Sequence, residues 1–89
     1  MRLEQAILKN LIHNEDYLRK VLPFLKAEYF TDLTERTLFN EITSFTTTYN
    51  NTPSPEAIAI AVKERRNLTD DEVQKCEDYI KEKIGRAHV

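Results

Sequence analysis

Four polar residues of the helix-capping kind, Asn14, Asp32, Ser54 and Thr69, each stand just ahead of an apolar stripe with helical spacing. An N-cap oxygen satisfies one of the backbone N–H groups that a first turn leaves without a partner, so this series reads as successive helix starts. Before the first of them, Leu3, Ile7, Leu8, Leu11 and Ile12 define a helix over about residues 2–13. After Asn14, the acids Glu15 and Asp16 suit the positive end of a helix dipole. The short helix they open carries Tyr17, Leu18, Val21 and Leu22 as far as Pro23, which disfavours helical backbone at the residue before it. Residues 24–30 are expected to form a tight connector with a helical turn, anchored by Phe24, Leu25, Tyr29 and Phe30.

The third helix has the strongest stripe: Leu38, Ile42, Phe45 and Tyr49, with Phe39 adjacent. Asp32 and Glu35 predict a capping box at its start, and the run Thr46, Thr47, Thr48 predicts a frayed end. Asn50-Asn51-Thr52-Pro53 is the clearest break. Ser54 and Pro55 then open a fourth helix with Ala57, Ile58, Ala61 and Val62 inward, ending near Lys63-Glu64-Arg65-Arg66. Thr69 and Glu72 predict a second capping box, followed by Val73, Cys76, Ile80 and Ile84 as an inner stripe and Gly85 as the stop. Asp71 with Lys75 and Glu77 with Lys81 are favourably ordered i,i+4 pairs. No segment alternates apolar and polar with period two. The expected fold is all-α, a compact bundle of about five helices over residues 1–85, with residues 86–89 as a disordered or appended tail.

Composition then removes whole classes of function. A lone glycine leaves no phosphate-cradling loop, since such loops need glycines where backbone N–H groups approach the anion. The longest apolar run, residues 57–62, is far too short to span a bilayer, so no membrane association is expected. Glu4, Lys9 and Asn10 interrupt any signal-peptide core. The single cysteine, Cys76, cannot form an internal disulfide, which fits a reducing cytoplasm. A net charge of −2 predicts little or no direct nucleic-acid binding, because neutralising phosphates requires a basic surface. A chain of 89 residues buries only about 60–65% of its unfolded surface, so part of the apolar face is expected to be completed by a partner.

Residues able to do chemistry are few. His13 suits a helix C-terminus better than a catalytic role, and His88 lies next to the chain end. Cys76 sits on an apolar stripe, where a thiol behaves as a small hydrophobe. One cysteine and two distant histidines make no zinc spacing, and Asp70, Asp71 and Glu72 are accounted for as dipole-complementing charge after Thr69. No catalytic, cofactor-binding or metal-binding residue is therefore assigned. Lys63, Arg65 and Arg66 form the densest basic cluster, a candidate nucleic-acid contact that competes with the simpler reading of cations gathered at a helix C-terminus. Seven of the eight aromatic residues fall within positions 17–49. Adjacent pairs there, Tyr29-Phe30 and Leu38-Phe39, cannot both point inward on a narrow face, so one of each pair is expected to be partly exposed. Tyr29, Phe30, Leu38 and Phe39 are accordingly the candidate protein-interaction residues.

The order of these segments resembles the N-terminal domain of DnaB-type replicative helicases. Glu4-Gln5-Ala6-Ile7-Leu8, then Leu11-Ile12, then Glu28-Tyr29-Phe30, then Asp32 followed by Arg36-Thr37-Leu38-Phe39-Asn40-Glu41-Ile42 follow that family's pattern. Val21-Leu22-Pro23, Glu28-Tyr29-Phe30 and Pro53-Ser54 are most similar to the helicases of large tailed phages. The likeness covers about residues 3–84, and its short motifs gain specificity from their order. The resemblance implies a non-catalytic domain that supports assembly of a hexameric helicase and engages primase, with a helicase loader as a further partner. It implies that ATP and magnesium belong to a downstream ATPase domain, and that a helical hairpin follows the head. No family catalytic residue maps onto this sequence.

The helicase-binding domain of bacterial primase has a similar fold, but a chain opening at Met1 with no primase segment before it favours the helicase. Two other classes remain open: a small helix-turn-helix DNA-binding protein using the fourth and fifth helices, and a free-standing phage adaptor that binds a host or replication protein. The acidic fifth helix argues against the first, since a recognition helix faces phosphates on both sides.

Overall fold

The structure, a computed structural model, describes residues 3–85. Among the described residues there are helices and turns and no strand. Helix α1 (Leu3–His13) buries Leu8, Leu11 and Ile12. Asn14 then caps α2 (Glu15–Val21), its Oδ1 accepting from the Tyr17 N–H at 3.1 Å. Pro23 narrows the chain into a three-residue 3₁₀ turn (Leu22–Phe24), and a second such turn follows (Ala27–Tyr29).

This connector corrects the expected anchors. Leu25 packs against the core and Phe30 is fully buried, but Phe24 is 78% exposed and Tyr29 52% exposed. With three residues per turn, a single 3₁₀ turn can aim only one position inward. Two large neighbours therefore cannot both be anchors.

Helix α3 (Leu33–Tyr49) is the central element, packed against α1, α4 (Pro55–Glu64), α5 (Asp70–Tyr79) and the second 3₁₀ turn. Because neighbours lie on several sides, it buries Glu35, Leu38, Phe39, Glu41 and Ile42, a wider face than one stripe. Its threonine run stays helical. The chain leaves at Asn50, which adopts the left-handed conformation (φ 52°) and donates its N–H to the Thr46 carbonyl at 2.8 Å. Asp32 caps the start by accepting from the Glu35 N–H at 3.1 Å. The Glu35 carboxylate, expected to reach back to the cap, is drawn into the interior, where the Tyr79 hydroxyl donates to it at 2.6 Å.

Ser54 Oγ caps α4 through the Ala57 N–H, and Thr69 with Glu72 forms a complete capping box at α5. Helix α5 widens into a π-turn (Ile80–Ile84) that closes at Gly85 (φ 78°), whose N–H donates to the Ile80 carbonyl at 2.8 Å. His13, expected at the end of its own helix, also ties the two ends of the domain together: its Nε2 donates to the Ile84 carbonyl at 2.9 Å. The Asp71–Lys75 pair forms on the surface, whereas Glu77 pairs with Lys63 on α4 rather than with Lys81. The assigned tail of residues 86–89, with His88, lies outside the described residues.

Candidate interaction surface

Three of the four side chains singled out for contact are inside. Phe30 and Leu38 are fully buried and Phe39 is 4% exposed, with the Phe30 and Phe39 rings stacked at 4.9 Å between centroids. Residues 38 and 39 both go inward because α3 is covered on more than one side, so the argument from a narrow face fails there. Burial removes Phe30, Leu38 and Phe39 from the contact set: the Tyr29-Phe30 pair divides one out and one in, as expected, whereas Leu38 and Phe39 both turn inward. Tyr29 remains, exposed on the second 3₁₀ turn.

Other large apolar side chains are exposed that the residue pattern was not used to find: Leu3, Phe24, Leu33, Tyr49 and Ile60. Two were legible. Leu33 lies about 140° around the helix from Leu38, and Ile60 about 200° from Ile58, at 100° per residue. Phe24, the most exposed of all, was hidden by the ambiguity of a short turn. Phe24, Tyr29 and Leu33 fall within ten positions of one another, so the connector and the start of α3 carry much of the outward apolar surface. Around them stand Lys20, Lys26 and Glu28, all exposed.

A second apolar feature lies between α4 and the π-turn. Pro55, Ala59 and Ile80, with Glu56, Glu77 and Lys81 at the rim, line a shallow cavity of about 220 Å³.

The basic cluster after α4 is largely engaged within the fold. Arg65 Nε donates to the carboxylate of buried Glu41, and exposed Lys63 reaches Glu77 at 3.8 Å, leaving Arg66 exposed and with no ion pair among the described residues. A carboxylate that has left water needs such a partner. That gives Arg65 a structural task at the junction of α3 and α4.

Among the described residues, Cys76 has no base placed to activate it. Cys76 is 1% exposed, and burial, with the carboxylates of Glu72, Glu41, Asp32 and Glu77 adding to it, pushes its thiol up to about 11. Such a thiol stays protonated and inert at neutral pH. Among the described residues no group of three or more His, Cys, Asp or Glu side chains is placed to hold a metal ion, and no helix is long and apolar enough to cross a membrane. What the molecule presents is a packed helical core with unpartnered apolar side chains outside it.

In comparison with known proteins, a family model described as the DnaB-like helicase N terminal domain matches residues 1–88. No curated protein and no solved structure matches the chain.

Proposed function

Because the chain belongs to the DnaB-like helicase N-terminal domain family, we propose that it is the non-catalytic interaction head of a hexameric replicative helicase of the phage type. In that role it supports subunit assembly and engages primase, and a helicase loader is a further partner. The observation that carries the reading is the family match across residues 1–88. The exposed apolar residues support it: a domain this small leaves Phe24, Tyr29, Leu33 and Ile60 outside its core, and burying such side chains between proteins is the usual source of association free energy. A standard specific interface removes on the order of 800 Å² per partner from water.

The engaged state of Lys63 and Arg65 favours protein partners over DNA. Arg65 would have to leave buried Glu41 to bind a phosphate, and Glu77 offsets part of the charge of Lys63. ATP and magnesium are proposed to act in a separate ATPase domain, and the cytoplasm is the proposed site of action.

The test is hydrodynamic. Sedimentation of the chain, alone and mixed with a replicative primase from the same source, is expected to show a concentration-dependent increase in mass or a mixed complex. A chain that stays monomeric throughout and ignores primase overturns the proposal.

A further inference from the structure

Phe24 ends the 3₁₀ turn that continues directly from α2, and 78% of it faces solvent. Lys20 precedes it by one helical turn, about 6–8 Å along the axis. Lys26 follows after two residues, within about 7 Å along extended backbone. Neither lysine takes part in an ion pair among the described residues. Residues 17–27 contain Arg19, Lys20 and Lys26 and no acid, with the exposed acids Asp16 and Glu28 at either end, in a chain whose net charge is −2. Arg19 is held by Glu15 at 2.9 Å, so the two lysines are the cations left to answer a ligand.

We propose that this segment, Phe24 bracketed by Lys20 and Lys26, docks an acidic amphipathic segment of a partner protein. An apolar side chain of the partner covers the Phe24 ring while its carboxylates meet the two ammonium groups. The inference rests on the reading of the chain as an interaction head and names the chemistry of one partner.

Charge decides the choice of occupant. A nucleic acid offers a repeating row of phosphates and calls for a track of free cations. Here the segment offers two lysines rather than a track, Arg65 and Lys63 at the end of α4 face Glu41 and Glu77 with only Arg66 left over, and α5 opens with Asp70, Asp71 and Glu72. A second copy of the chain is the competing occupant, since exposed Ile60 on α4 stands between the exposed acids Glu56 and Glu64. Loss of self-association on sedimentation of the Lys20→Glu, Lys26→Glu variant gives the site to a second copy and overturns the foreign-partner proposal.

Fluorescence anisotropy tests this with three labelled probes added to the intact chain. They are a short synthetic peptide of Asp, Glu, Leu and Phe, the same peptide with its acids replaced by Asn and Gln, and single-stranded oligothymidylate. The acidic peptide is expected to bind saturably. Binding is expected to weaken at least tenfold with the amide peptide, with Phe24→Ser, and with Lys20→Glu combined with Lys26→Glu. All three positions are exposed, so the variants are expected to unfold at the parent's midpoint, and the lysine pair alone suffices should the serine variant misfold. Equal binding of both peptides, or tighter binding of the oligonucleotide, overturns the proposal. Absence of peptide binding in a chain that still associates with itself or with primase removes the connector site and leaves the helicase-head reading intact. Absence of every interaction removes both.

Discussion

Tyr79 shows how much one hydroxyl can matter inside a small domain. It lies on the last turn of α5, 7% exposed, and donates to the Glu35 carboxylate at the start of α3. Hydrogen bonds to charged groups contribute about 1.5–3 kcal/mol, and their loss leaves a buried acceptor poorer by one donor. Tyr79→Phe keeps the ring and removes the donor, so urea unfolding should show a loss of roughly 1–3 kcal/mol. A variant as stable as the parent denies the bond any net role. The two aromatic classes separate by the same measurement. Phe39→Ala empties space beside Phe30 and should cost about 3–5 kcal/mol, a large part of the roughly 4–13 kcal/mol typical for a domain of this length. Tyr29→Ser, on the surface, should fall within about 0.5 kcal/mol of the parent. Cys76 makes a pH prediction. Its folded pKa of about 11 lies above the ordinary value of 9.0, so above pH 9 the unfolded chain loses a proton that the folded chain keeps. The thiol's contribution is therefore fully present below pH 9 and lost as pH rises toward 11. That part of the alkaline decline should vanish in Cys76→Ala, compared with the parent by unfolding across this range.

Helix starts were legible because each is a local event, an oxygen and two or three backbone N–H groups within a single turn. Asn14, Asp32, Ser54 and Thr69 all cap where the residue pattern places them. Helix ends and the faces of short turns were less legible, since they depend on what packs against them. The threonine run of α3 has poor intrinsic propensity, yet it stays helical, with Phe45 and Tyr49 paired at 4.6 Å alongside it. The burial of both Leu38 and Phe39, where one of the pair was expected outside, came from the same source. Nothing in α3 itself says that α1, α4, α5 and a 3₁₀ turn all converge on it. The left-handed exit at Asn50 supplies a prediction at this level. Glycine has no Cβ penalty at φ 52°, whereas a β-branched residue is strained there. Asn50→Gly should be neutral or stabilise by a few tenths of a kcal/mol, and Asn50→Val should destabilise by about 1–2 kcal/mol, both read from thermal unfolding. Equal midpoints for the two variants mean that the αL exit does not set where α3 stops.

Taken whole, the domain is as compact as a typical globule of its length. Its Cα radius of gyration is 11.9 Å, against about 12 Å for a typical 89-residue globule. The exposed apolar side chains are therefore not a sign of loose packing. They are what remains once a chain with so little interior has filled it. If copies of the chain cover one another's apolar residues, the associated state binds the native fold and not the unfolded one, and mass action makes the stability depend on protein concentration. Thermal unfolding followed over a hundredfold range of concentration should then shift upward by a few degrees. In high salt the shift should persist, because apolar burial is not screened as surface charge is. A midpoint independent of concentration assigns the exposed apolar residues to foreign partners alone. A shift that disappears in salt assigns association to charge, with the rim residues Glu56, Glu77 and Lys81 as its source rather than Ile60 and the apolar floor between α4 and the π-turn.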